Sequence, residues 1–136
     1  MRPSQKVRHN VRVLGAFRRS RQHRRDFTVM AGDTSSANLG GVTVRFRTDL
    51  LSTEAKTISC ILYNFKDQAL SRDTARITLD LAAWVLTENR LLAPPVTVEY
   101  VDFANQRVYR ANRVHAPTIA RARRAAPPIV RVWQTI

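Results

Sequence analysis

Few side chains in this chain have the types and the spacing that catalysis or metal binding would require. The three histidines show neither an HxxxH nor an HxxE spacing, so no paired metal ligands are predicted. The serines lie outside any nucleophile-elbow context, and the acidic residues are spread over separate predicted elements, so neither a nucleophile nor an acid/base pair stands out. The sequence therefore predicts a protein that is not an enzyme and that holds no metal or cofactor.

Arginine is the residue type that carries the strongest functional signal. The chain has 20 Arg and 3 Lys, and five of the arginines fall within residues 18–25. A guanidinium group pairs with phosphate or carboxylate through a planar fork and stays charged. Such a run could neutralise phosphates and bind nucleic acid in a salt-dependent way, or lie on an acidic neighbouring protein. The candidate contact residues are Arg12, Arg18, Arg19, Arg21, Arg24, Arg25, Arg121, Arg123 and Arg124.

The charge is divided unevenly along the chain, whose formal net charge is +13. Residues 1–25 hold nine basic residues and no acid, and residues 103–136 hold seven basic residues and no acid. All ten acidic residues lie in 26–102, which carries a net charge of −3. A slightly acidic body with two cationic ends is typical of a protein whose ends are interaction tails.

The single cysteine and the hydropathy limit the class of protein further. Cys60 alone cannot form an intramolecular disulfide or a cysteine zinc cluster, and its apolar neighbours predict a buried small side chain. No apolar run approaches the ~18 to 20 residues that a membrane span needs, so no membrane contact is predicted. The N-terminus is Arg-rich and free of acids, as in a mitochondrial transit peptide.

The hydrophobic pattern predicts short strands in the body and a short helix or an extended arm over 4–17, with Ser4 as the helix N-cap. The alternative for an isolated chain is a disordered tail. Strands are predicted at 26–30, 42–46, 58–65 and 74–81, where Ala75, Ile77, Leu79 and Leu81 form one inward row. Helical turns are predicted at 50–56 and 82–92, the latter with Trp84 against the core.

The stretch 96–114 predicts a β-hairpin, because two β-rich runs flank a short Asp- and Asn-bearing connection. Prolines on both sides of Arg121–Arg124 predict an arginine-bearing loop at 116–128, followed by a last strand at 129–133. The expected fold is mainly β, a small β-barrel or sandwich with basic N- and C-terminal extensions. Its expected organisation is an Arg-rich arm at 1–25 and a β-domain at 26–136.

The stretch from Thr74 to Trp133 resembles the small β-barrel neck proteins of tailed phages, the head-completion or head–tail connector (stopper) proteins. The similar pattern is an alternating strand (ARITLDL), a linker ending in prolines, a strand–turn–strand unit (VTVEYVDFANQRVYRANRV), and a loop before a short strand (IVRVW). The resemblance covers less than half of the chain. It implies a ring under the portal, with arms and loops that pack on neighbours and face the DNA channel.

These observations predict a non-enzymatic structural component of a virion, either a phage head–tail connector or neck protein or a capsid protein. Its expected partners are copies of itself and other virion proteins (portal, tail or capsid), with DNA or RNA at the basic arm. The alternative is an RNA-binding ribosomal protein whose basic tails thread through rRNA, including a mitochondrial one. The expected location is accordingly the virion, assembled in the host cytoplasm, or else a ribosome.

Overall fold

The fold is described from a computed structural model, which describes residues 4–30, 34–66, 68–89 and 96–135. It is a mixed α/β fold built on a five-stranded sheet and a separate two-stranded hairpin. The elements in chain order are α1 (Gln5–Arg19), a 3₁₀ turn (Gln22–Arg24), β1 (Thr28–Met30), β2 (Thr34–Leu39), β3 (Val42–Arg47), β4 (Leu50–Glu54), β5 (Thr57–Asn64), α2 (Arg72–Glu88), β6 (Val96–Asp102), β7 (Arg107–Ala111) and α3 (Ala116–Gln134).

The five-stranded sheet has the order β1-β4-β5-β6-β7. Its neighbouring strands are antiparallel except for β5 and β6, which run parallel with Cys60 opposite Val98. A parallel pair needs a long crossover connection, usually a helix, and α2 supplies it. The sheet therefore combines two hairpin connections with one βαβ unit.

Helix α2 lies at the centre of the molecule. The Ser71 side chain caps its start by accepting a hydrogen bond from the Thr74 N–H (3.1 Å), which satisfies a donor that the first turn leaves free. From Leu79 to Leu86 every side chain is buried or half-buried, because one side of the helix packs on the sheet and another side packs on the hairpin and α3. Trp84 is only 4% exposed, as the sequence predicts.

The hairpin β2–β3 and helix α3 cover the side of α2 that faces away from the sheet. Leu39, Phe46 and Ile119 join Leu79 and Val98 in one buried cluster. The hairpin turns at Gly40–Gly41, both with positive φ (58° and 92°), a conformation that favours glycine. A Cβ at Gly40 would also lie 3.0 Å from the Ala126 Cβ, so the turn can sit directly against α3.

The opposite face of the sheet carries a second, smaller apolar cluster. It is formed by Ile61, Val101 and Phe103, against which Ala16 and Phe17 from the end of α1 pack. Adjacent residues of a strand point to opposite faces of a sheet, so Cys60 faces α2 while Ile61 faces α1. The layers are thus the sheet, α2, and then the hairpin with α3, and the end of α1 packs on the other face of the sheet.

Several sequence predictions agree with this fold. Helix α1 begins after Ser4, whose hydroxyl accepts the Val7 N–H at 3.3 Å. The strands at 26–30, 42–46 and 58–65 correspond to β1, β3 and β5. The hairpin at 96–114 is β6–β7, and Cys60 is buried at 6% exposure.

The mainly β barrel or sandwich is not confirmed, because the described strands do not close into a barrel and three α-helices of 15, 17 and 19 residues accompany them. The predicted strand at 74–81 was wrong, since it lies in α2. Its inward row is divided in the structure: Leu79 is fully buried and Ile77 is 45% exposed.

The predicted arginine-bearing loop at 116–128 and the last strand at 129–133 were also wrong. Both lie in α3, which begins with Pro117 in its first turn and continues through Pro127 and Pro128. Proline suits the first turn of a helix because that turn needs no N–H donor, whereas the two interior prolines made a helix hard to predict. The helical turn predicted at 50–56 is strand β4, and the proline-ending linker before β6 lies outside the described residues.

Candidate nucleic-acid and subunit interface

Helix α1 presents three different faces. Val13, Ala16 and Phe17 are half-buried and lie toward the body, and His9 and Gly15 are the other half-buried residues of the helix. At 3.6 residues per turn, two other sets separate from them. An apolar stripe consists of Val7, Val11 and Leu14, which are 50%, 64% and 62% exposed. A cationic row consists of Arg8, Arg12 and Arg19, all exposed.

The segment that follows α1 is fastened to the sheet by specific contacts. The Phe17 ring packs edge-to-face on Phe103, with 5.8 Å between ring centroids. The Gln106 side-chain amide donates to the Ala16 carbonyl at 3.2 Å. The Ser20 hydroxyl donates to the Phe17 carbonyl at 2.6 Å and accepts from the Gln22 N–H at 3.2 Å. The end of the Arg-rich arm predicted at 1–25 is therefore packed against the body.

Arg25 is the most buried of the candidate arginines, with a side chain 14% exposed. Its guanidinium donates to both carboxylate oxygens of Glu54 (3.0 and 3.1 Å) and to Glu99 at 2.6 Å. Arg110 donates to the other oxygen of Glu99 at 2.7 Å. The Arg25 guanidinium carbon also lies 4.5 Å from the centre of the Phe27 ring.

These contacts determine the charge state and the role of Arg25. Burial alone lowers its pKa, but the hydrogen bonds to Glu54 and Glu99 outweigh burial, so the pKa of Arg25 is raised. The guanidinium joins the segment after α1 to β4 and β6. Its donors are used inside the molecule, so Arg25 is a structural residue in this chain and not a free contact for phosphate.

The other arginines of the N-terminal run are placed differently. Arg18, Arg19, Arg21 and Arg24 are exposed, and none of them forms an ion pair with a carboxylate of the described residues. Arg12 is also exposed and precedes Arg18 by more than one helical turn. The structure therefore gathers a cluster of solvent-facing guanidinium groups around the end of α1.

The second predicted group, Arg121, Arg123 and Arg124, lies on the exposed side of α3. The buried side of that helix carries Ile119 and Ala126. Thr118 donates to the buried carboxylate of Asp80 at 2.7 Å, which ties the start of α3 to α2. Because α3 and α1 lie on opposite sides of the sheet, the structure does not bring the two arginine groups together.

Sequence reasoning missed an aromatic cluster beside the first group. Phe65 and Phe103 are nearly parallel (10°) with 5.1 Å between centroids, and Tyr63 lies 5.7 Å from Phe103. Burial raises the pKa of Tyr63, and Arg25 partly offsets it. The alternation of Tyr63 and Phe65 at the end of a predicted strand was the available signal, but Phe103 joins them only through the parallel pairing of β5 with β6.

Among the described residues there is no group of three or more His, Cys, Asp or Glu side chains that could hold a metal ion. No helix in the described part of the chain is long and apolar enough to cross a membrane. Comparisons of the chain with protein-family models, with curated proteins and with solved structures found no match.

Proposed function

We propose that this protein is a non-enzymatic structural component of a larger assembly that contains nucleic acid. Its terminal helices contact neighbouring subunits and its exposed arginines contact the nucleic acid. The particular form that we propose is a virion component, a head–tail connector or neck protein of a tailed phage or a capsid protein. The resemblance of the β6–β7 unit to neck proteins supports this form, although the segments ARITLDL and IVRVW are helical here.

The observation that carries the proposal is the exposed apolar stripe of α1. Val7, Val11 and Leu14 follow one another at helical spacing and are each half or more exposed. Contiguous apolar surface of this kind is typical of a protein–protein contact. The end of α3 repeats the arrangement, with Val132 and Trp133 58% and 64% exposed. Both terminal helices thus offer apolar surface to other chains.

The hydrogen bonds that the buried acidic side chains accept support a structural role for these residues. Asp102 is fully buried and accepts hydrogen bonds from the Asn64 side chain and from the backbone of Leu70 and Ala104. Asp80 accepts from Thr118, and Glu99 accepts from Arg25 and Arg110. Each of these carboxylates joins elements that are distant in sequence, which is a role in stability.

The exposed arginines favour a second candidate, an RNA-binding ribosomal protein. Arg18, Arg19, Arg21 and Arg24 lack carboxylate partners within the described residues and would suit phosphates. The two candidates differ in what holds the chain in its assembly. Protein contacts through α1 would hold a virion component, whereas RNA would hold a ribosomal protein.

The native mass of the purified assembly, before and after nuclease treatment, tests the proposal. We expect an assembly of defined stoichiometry that survives nuclease and that Val11→Gln reduces to smaller species. The matched control is Ile77→Gln, which changes an exposed side chain on α2 (45%) and should leave the mass unchanged. Dissociation to monomers by nuclease alone would favour the ribosomal candidate, and a monomer under all conditions would refute both.

A further inference from the structure

A groove between α1 and the β6–β7 turn combines aromatic and cationic side chains. It has a volume of about 380 Å³. Its α1 wall includes Val13, Ala16 and Arg19, and its other walls include Phe65, Lys66, Phe103 and Gln106. We call it the aromatic groove. No acidic residue of the described part of the chain lines it.

Phe65 is the part of the aromatic groove that can meet a flat ligand. Its side chain is 43% exposed, whereas Phe103 behind it is 3% exposed. The two rings are nearly parallel, and Tyr63 lies against both of them. An exposed ring that is already held by other rings loses little conformational freedom when a further ring stacks on it.

A second groove continues the aromatic groove along the sheet. It has a volume of about 320 Å³, shares Arg19, Phe103 and Gln106 with the first, and adds Arg21 and Arg107. Among the described residues, Asp102 is the one acidic residue that lines it, and it is fully buried and accepts hydrogen bonds at both carboxylate oxygens. The two grooves therefore form one cationic path with an aromatic residue at one end.

We propose that this path binds single-stranded nucleic acid, with a base stacked on Phe65 and the phosphates held by Arg19, Arg21, Lys66 and Arg107. Base stacking on aromatic side chains within a cationic groove is the general mode by which proteins bind single strands without sequence preference. A duplex keeps its bases stacked inside, so Phe65 selects the single-stranded form. The inference extends the proposed function, since it names the form of nucleic acid that the assembly contacts.

The test is fluorescence anisotropy of labelled oligo-dT, oligo-U and a DNA duplex with the full chain. Phe65→Leu keeps an apolar side chain but removes the flat ring, and we expect it to weaken single-strand binding about 5-fold or more while leaving duplex binding unchanged. Lys66→Gln, at an exposed position, should weaken binding and reduce its salt dependence. The matched control is Lys56→Gln, an exposed lysine between β4 and β5 that lines neither groove, and this change should leave single-strand binding unchanged.

Three outcomes would overturn the inference: no binding of either single strand, duplex binding as tight as single-strand binding, or wild-type affinity in both Phe65→Leu and Lys66→Gln. The two single strands distinguish an RNA partner from a DNA partner. Native mass separates this inference from the proposed function. An assembly that binds the duplex but neither single strand would refute the inference alone, whereas Phe65-dependent binding by a monomer would refute the proposed function alone.

Discussion

Replacing Leu79 and Ile77 of α2 separately by alanine tests the architecture most directly. Had residues 74–81 formed a strand, both side chains would point to the same face and both changes would be costly. In the helix, they lie two residues apart and therefore on different sides. Leu79 is completely buried, while Ile77 is 45% exposed.

The expected costs follow from this difference in burial. Leu79→Ala removes fully buried carbons and leaves a cavity between the sheet and the hairpin, which costs about 2 to 5 kcal/mol. Ile77→Ala removes the same number of carbons, but nearly half of that surface is already in water. Its transfer cost is about 1 kcal/mol at ~0.8 kcal/mol per buried methylene, and the better helix propensity of alanine offsets part of it.

Urea unfolding of the two variants beside the wild-type protein measures these costs. We expect Leu79→Ala to lower the free energy of unfolding by at least about 1 kcal/mol more than Ile77→Ala does. The slope of the unfolding curve should be the same in all three proteins, so that midpoints can be compared. Costs that agree within about 0.5 kcal/mol would refute the placement of α2.

Three further predictions concern the ends and the interior of the sheet. Arg25→Ala should lower the free energy of unfolding by roughly 2 to 3 kcal/mol, because it removes the charged hydrogen bonds to half-buried Glu54 and leaves buried Glu99 with Arg110 alone. Exposed Arg24→Ala should change it by less than about 0.5 kcal/mol, and equal effects in urea would contradict the buried ion pair. Deletion of residues 1–14 should leave the unfolding midpoint unchanged, whereas deletion of 1–25 should lower it, and equal midpoints would mean that the later residues do not pack on the sheet. Burial raises the pKa of the Cys60 thiol above its ordinary value of 9.0. The neutral thiol therefore contributes its full stability below that pH, and the contribution is lost as the pH rises through the folded pKa. The thermal midpoint should accordingly fall less at alkaline pH in Cys60→Ala than in the wild-type protein.

The parts of the fold that the sequence predicted are those in which one periodicity dominates. Val42, Val44 and Phe46 alternate cleanly and lie in β3, and the hairpin of β6 and β7 has a turn between two β-rich runs. Ser4 caps α1 as predicted. In each case neighbours in the chain are also neighbours in the structure, so local chemistry determines the element.

The error in α2 arose because residues 74–81 fit two periods at once. Ala75 and Leu79 belong both to an alternating row and to a helical face that continues through Ala82, Ala83 and Leu86. Because the prediction ended a strand at Leu81 and began a separate helical turn at Ala82, the longer helical period was missed. Ser71 before the segment and Asp73 in its first turn were signals of a helix start.

The candidate site was less predictable than the fold. The charge pattern predicted that the arginines after α1 would be available for contacts, and Arg18, Arg19, Arg21 and Arg24 are exposed. It did not distinguish Arg25, because its partners Glu54 and Glu99 are 29 and 74 residues away in the chain. The pairing of Phe65 with Phe103 likewise depends on strand order. Such contacts follow from tertiary structure and leave no local pattern.

The enclosure of α2 between the sheet and the hairpin has a consequence for synthesis on the ribosome. Domains form from the N-terminus as the chain emerges, so Leu39 and Phe46 of the hairpin emerge before α2, which covers them. The parallel partner of β5 comes later still, after the whole of α2. During that interval the hairpin presents bare apolar side chains and β5 has an unpaired edge, so the nascent chain is most vulnerable to aggregation before residue 102 has left the exit tunnel.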